Sequence, residues 1–257
     1  MRTNHIAVPS ILFVILSMML PGGEKPTVHL AGLRIVGPGY GVNGTELRAF
    51  HQQSGITLAL VVKVPQNKMI VDVDDSKCVL TKCVDDRGHN LLDGVDWGGF
   101  PKISEDSRIA LVEVSSKIRP SMDASEIYAR GTIHLRMAAS AITENIESLK
   151  LKMGTRIHVR QEVIQVMKVQ AENDGLTLVL QISRELMNDM KELRFFTSNE
   201  DPVEIWGRGS FTFGNVSQME YSCNIKSLPE TLRVEVDLWQ ELEILNVSFN
   251  IAAGLGF

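Results

Sequence analysis

An all-β protein of antiparallel β-sandwich type is what this sequence predicts, on three observations. Apolar residues recur with period two along most of the chain, turn-forming clusters separate the alternating runs at short intervals, and long helical periodicity is scarce. Strands spaced roughly ten residues apart with few helices make sandwiches.

The chain begins with Arg2, an apolar run over residues 6–20 and the helix-breaking Pro21-Gly22-Gly23. A cationic end, an apolar core and a breaker describe a secretory signal peptide over residues 1–23. The run contains Pro9 and two serines and falls short of the roughly 20 residues that cross a bilayer as a helix, so a cleaved signal is expected rather than an anchor. The expected location is therefore secreted, periplasmic or at the cell envelope, with membrane contact only during export.

Strands are expected next at 30–36, 56–64 and 109–114. Ile133, Leu135 and Met137 then alternate with Thr132, His134 and Arg136, followed by strands at 163–169 and 176–182. Asn173-Asp174-Gly175 between those last two runs is a hairpin signal, because Asn, Asp and Gly tolerate the positive φ of a tight turn. Short strands follow at 193–196 and 219–225, and Val234, Val236 and Leu238 alternate with Arg233, Glu235 and Asp237. At the end Leu245, Val247, Phe249 and Ile251 face one way and Asn246, Ser248 and Asn250 the other. Residues 141–151 and 185–193 are the candidates for short helices, the second with Leu186, Met190 and Leu193 at helical spacing.

Arg119-Pro120-Ser121-Met122-Asp123 interrupts the strand pattern, which suggests two immunoglobulin-like sandwiches, 27–116 and 126–257. A single larger sandwich and a transfer of strand 126–138 to the first half stay open.

Net charge is -5 and the 26 basic residues are scattered, which excludes a nucleic-acid footprint. A 44% hydrophobic composition supports packed cores, and 6% aromatics weakens a sugar-stacking role. Cys78, Cys83 and Cys223 allow one disulfide and an odd thiol in an oxidising compartment, but Cys78 and Cys83 could pair only if residues 80–82 bend. Buried free thiols are the competing reading.

No cofactor is expected. The one metal candidate is a structural Ca²⁺, held by Asp72, Asp74 and Asp75 at a strand end and by Asp85 and Asp86 in a turn, should those groups converge. The set lacks the glycine and distal glutamate of an EF-hand loop, and solvated turn aspartates explain it equally. No G-x-S-x-G, H-E-x-x-H, P-loop or dinucleotide pattern occurs, and no catalytic residue is assigned. Trp97 and Trp206 both adjoin glycines, where a ring on a loop could bind a ligand or cap a core.

Asp85-Asp86-Arg87-Gly88-His89-Asn90-Leu91-Leu92, together with Trp239-Gln240-Glu241-Leu242-Glu243, Val247-Ser248-Phe249 and the close Gly254-Leu255-Gly256-Phe257, resembles the exported, uncharacterised tandem β-sandwich proteins of planctomycete-type bacteria. The resemblance implies a secreted sandwich protein and carries no catalytic or binding residues. Ser248 stands where that pattern usually has proline.

These readings combine into an exported, non-catalytic sandwich protein with a structural or adhesive role at the cell envelope, its envelope or extracellular partner unspecified. A secreted hydrolase and a carbohydrate-binding module are the alternatives. An outer-membrane barrel is a further one, suggested by the alternation from Phe249 to a terminal Phe257.

Overall fold

A computed structural model describes residues 24–38, 40–42, 45–47, 54–98, 101–172, 175–225 and 229–255. The expected signal segment, residues 1–23, and the turn residues Asn173 and Asp174 lie outside them.

In chain order the first strands are β1 (Thr27–Val36), β2 (Tyr40–Val42), β3 (Thr45–Leu47), β4 (Gly55–Lys63), β5 (Met69–Val73), β6 (Val79–Asp85), β7 (Asp96–Trp97), β8 (Lys102–Ile103) and β9 (Ile109–Ser116). Then come β10 (Glu126–Ala138), β11 (Ser140–Lys150), β12 (Arg156–Val159), β13 (Glu162–Glu172), β14 (Gly175–Ser183) and the helix α1 (Arg184–Asp189). The chain continues through β15 (Met190–Phe196), β16 (Glu204–Phe213), β17 (Val216–Asn224), β18 (Thr231–Gln240) and β19 (Glu243–Gly254).

Every ladder between these strands is antiparallel, and the sheets stack as two sandwiches. In the first, the sheet β1-β4-β9-β7, with β8 on β9, faces a sheet in which β10 pairs β19 on one side and β5 and β6 on the other. Leu58, Leu60, Val112 and Val114 from one sheet meet Ile127, Ile133, Leu135, Val247 and Phe249 from the other. In the second, β11-β18-β15 faces β12-β13-β14-β17-β16, and Phe195, Leu232, Val234 and Val236 meet Ile164, Leu178, Leu180 and Tyr221. Period two is what builds both: alternate side chains enter the core, each contributing about 1.5–3 kcal/mol on burial.

Strand pairing divides the chain otherwise than the expected 27–116 and 126–257. Strand β10 belongs with β5 and β6, and the last strand, β19, crosses back to pair with β10 from Glu126↔Gly254 to Met137↔Glu243. The Pro120 segment is thus a crossover inside the first sandwich, and the chain leaves that sandwich after Ala138 and re-enters it at Glu243. Glycine is required at Gly131, where a Cβ would lie 2.3 Å from the Val79 carbonyl and 2.7 Å from the Phe249 ring.

Three further expectations are corrected. Residues 141–151 form a strand, β11, rather than a helix. Its register shifts between Ile146 and Leu149, so two core-facing residues fall three apart and imitate helical spacing. The helix expected at 185–193 stops at Asp189, and Met190 onward pairs with β18. The barrel alternative fails among the described residues, because β19 pairs with β10 alone and the sheets stay open.

Candidate binding surface

The acidic residues proposed as a calcium site do not converge. Asp72 sits opposite Arg136 on β10 and Asp85 opposite Ile127, nine residues away along the same strand. That separates the two groups by roughly 30 Å. Asp72, Asp74 and Asp86 already have local partners. Asp74 accepts from the Ser76 hydroxyl and pairs with Lys77 at 2.7 Å; Asp72 accepts from the Val73 N–H; Asp75 opens the 3₁₀ turn Asp75–Lys77. Asp86 accepts from the N–H and hydroxyl of Ser125. Among the described residues no group of three or more His, Cys, Asp or Glu side chains could hold a metal.

Asp85 is a turn anchor. Its side chain is buried, and one carboxylate oxygen accepts from the N–H groups of Arg87 and His89 while the other accepts from Ser121 N–H. Burial opposes its ionisation, but the bonds from Ser121, His89 and Arg87 win and hold its pKa at about 2. This one side chain therefore ties the β6 turn to the crossover before β10.

All three thiols are buried and free. Cys78 and Cys83 lie in the first core and Cys223 in the second, and burial pushes Cys83 and Cys223 up to about 11. They pack as small apolar groups.

The two tryptophans separate. Trp97 is half-buried and packs against the first core. Trp206 is 69% exposed.

Each sandwich has a polar outer face. On the outer face of the first sandwich, Arg34, Thr57, Ser115 and Asp96 stand in register across β1, β4, β9 and β7 and line an open groove of about 640 Å³ with Glu113 and Lys117. Both carboxylates of the groove are exposed, so it does not give them the dry setting that acid–base chemistry by a carboxyl pair draws on. On the outer face of β11-β18-β15, Arg194 makes a two-armed contact with Asp237 at 2.6 and 3.0 Å and also reaches Glu235 and Glu192. Asp237 further accepts from the Thr143 hydroxyl. Desolvation works against ionisation of Asp237, but Arg194 and Thr143 hold its pKa below the usual carboxylate range. Glu235 also takes Arg233 at 2.6 Å, so the carboxylates of this charge lattice are matched by cations on the same face, while the buried Nε of Arg233 has no hydrogen-bond partner.

Strand β16 is different. It is the edge of the five-stranded sheet, paired only with β17 among the described residues, and it presents Phe211 at 67% and Phe213 at 77% exposure at one end and Trp206 toward the other. Its partners settle which way its side chains point, since directly opposite residues share a face. Tyr221 and Cys223 on β17 are buried, so Arg208 and Ile205 opposite them lie on the core-side face of β16, where Ile205 is half-buried and the Arg208 side chain is still 53% exposed. Gly207, Gly209, Phe211 and Phe213, opposite Ser222, Glu220, Gln218 and Val216, share the outer face. Trp206 stands in the bulge between Ile205 and Gly207. Across the same face, Arg156, Gln165, Gln181, Gln218 and Phe211 line up over five strands, an amide row ending on an aromatic ring.

Sequence reasoning found Trp206 but neither β16 as a strand nor Phe211 and Phe213. The signal was present as alternation, Gly207-x-Gly209-x-Phe211-x-Phe213 before a Gly214-Asn215 turn. Two glycines among four alternating positions break the apolar period that marks a strand.

The fold and this edge define an open all-β sandwich protein with an aromatic strand edge. No protein-family model, curated protein or solved structure matches the chain.

Proposed function

We propose that this protein is an exported, non-catalytic binding protein with a structural or adhesive role at the cell envelope, engaging its partner through β16. The observation that carries the reading is the exposure of Trp206, Phe211 and Phe213 on one unpaired strand edge. A ten-residue edge strand with three exposed aromatic rings is an aggregation liability, here blunted only in part by the charges of Glu204 and Arg208. Its presence here has a reason if a partner covers it. The signal-like residues 1–23 and the resemblance to exported tandem sandwich proteins support the location.

Cell fractionation tests this directly. The protein is expected in the envelope or outside the cell with its first residues removed, and Phe211→Ser/Phe213→Ser is expected to release it into the soluble exported fraction while its melting curve is unchanged. Recovery of intact protein from the cytoplasm, or unchanged envelope retention of the double variant, sinks the reading.

A saccharide partner is the second reading, favoured by the row of Gln165, Gln181 and Gln218 that ends on Phe211. Amides and a stacking ring are the groups sugar recognition uses. Retention on a glycan matrix that Gln181→Ala abolishes would select it.

A further inference from the structure

We propose that β16 pairs with β16 of a second copy of this chain, antiparallel about a two-fold axis with Ser210 opposite Ser210 of the second copy. The inference rests on the reading of β16 as a binding edge and names its occupant.

The backbone supplies the first argument. Strands β16 and β17 are joined by the two-residue turn Gly214-Asn215, with Gly214 at φ 60° and Phe213 opposite Val216. A two-residue hairpin closes on a hydrogen-bonded pair, and pairs then alternate. The N–H and C=O groups of Phe213, Phe211, Gly209 and Gly207 therefore point at β17. Those of Arg208, Ser210 and Thr212 point away from it, toward the open edge. In a two-fold pairing centred on Ser210, Arg208 meets Thr212 of the second copy and Ser210 meets Ser210. All the outward groups are then matched with outward groups.

The side chains supply the second. In this register Phe211 lies opposite Gly209 of the second copy and Phe213 opposite Gly207, all on the outer face. These are the non-hydrogen-bonded pairs, where strands bring side chains closest. An aromatic ring laid over a cross-strand glycine covers bare backbone that no other residue leaves open. Shifting the axis to residue 209 leaves Phe213 against the bulge at Ile205, and shifting it to residue 211 stacks Phe211 on itself and leaves Gly207 uncovered. One register satisfies both rings.

Gly209 points the same way. Gly209 has no positive φ, and a Cβ there would meet its nearest neighbour, Glu220, at an ordinary 3.9 Å. Nothing inside the chain requires glycine at 209. Glycine in a strand often marks the close approach of another backbone, and the second copy's Phe211 is what would approach. The opposite edge of the same sheet is shorter: β12 has four residues against ten in β16, and short length protects an edge against such pairing.

Four phenylalanines and two strand edges bury on the order of 1,000 Å², the lower limit of a specific interface, so the association is weak and concentration-dependent. Sedimentation of the signal-less protein from about 1 to about 100 μM is expected to show monomer passing to dimer. Gly209→Val fills the hollow and is expected to weaken dimerisation about tenfold or more while the monomer melts no lower than wild type. Ser210→Cys places two thiols about 5.5 Å apart at their Cα atoms, within disulfide reach, so oxidised glutathione should convert it to a covalent dimer. Gln218→Cys, one strand inward, should not cross-link.

A wild type that stays monomeric over this range, a Gly209→Val protein that dimerises as well as wild type, or a Ser210→Cys protein that stays uncross-linked overturns the proposal. Should dimerisation fail while envelope retention still depends on Phe211 and Phe213, the binding edge stands and the second copy is the wrong occupant. Should retention fail while dimerisation holds, the edge serves self-association alone and the envelope reading falls.

Discussion

The two sandwiches are built from the same alternating strands but close in opposite ways. The first is discontinuous: β1 to β10 cannot complete its second sheet until β19, the last of the described strands, returns to cover β10. The second is continuous from β11 to β18 and completes itself locally, yet it ends on the aromatic edge β16. The difference teaches where each invests its apolar surface. In the first, the late strand buries Val247 and Phe249; in the second, Phe211 and Phe213 are left outside.

The most severe way to break this comparison is at the returning strand. Phe249→Ala empties a buried site in the first core and should cost about 3–5 kcal/mol of unfolding free energy. Hydrogen exchange should then accelerate in β4, β9 and β10 and stay slow in β14 and β18. Equal acceleration in both would mean that the sandwiches unfold as one body, and the contrast would be lost.

Arg194→Met tests the second sandwich's outer face. It leaves Asp237, Glu235 and Glu192 facing one another without their shared cation, and because Arg194 is about one-third exposed the cost should be nearer 1–2 kcal/mol than the larger penalty of a fully buried pair. Urea titration measures it, and a loss under half that size would make the lattice ornamental.

Asp85 sharpens the comparison through pH, since the first sandwich alone carries this anchor. Its folded-state pKa, about 2, lies below the usual carboxylate value, so its contribution is full above about pH 4 and is lost as pH falls through about 2. Asp85→Asn should cost roughly 1–2 kcal/mol at neutral pH, with the gap to wild type closing toward pH 2. A gap independent of pH would remove the carboxylate's role.

The smallest effects are expected at the exposed edge and the separated acids. Phe211→Ser/Phe213→Ser should move stability by no more than about 0.5 kcal/mol, because the rings are outside the core. Calcium or EDTA should leave the melting midpoint where it is, since roughly 30 Å separates the two acidic groups. A midpoint raised by calcium would mean that those carboxylates meet after all.

How much of this was legible can be followed residue by residue. Strands β10, β14, β18 and β19 announce themselves because each turns alternate apolar residues into a core, which writes period two into the residues. Strand β11 misled because a register shift placed Ile146 and Leu149 three apart, the spacing of a helix. Strand β16 was missed because its core-side face carries Arg208, Ser210 and Thr212, polar and exposed, so no buried face writes an apolar period there. Trp206 was singled out by size, but exposed Trp206 and half-buried Trp97 carry the same local signature of a ring beside glycines.

The all-β class, the antiparallel pairing of β13 with β14 and the identity of most core residues follow from local alternation, which one chain segment fixes by itself. The return of β19 to β10, the separation of Asp72 from Asp85 and the solvent exposure of β16 do not. Each depends on which strands, far apart in sequence, become neighbours, and that choice is made by the summed burial of whole faces rather than by any short run of residues.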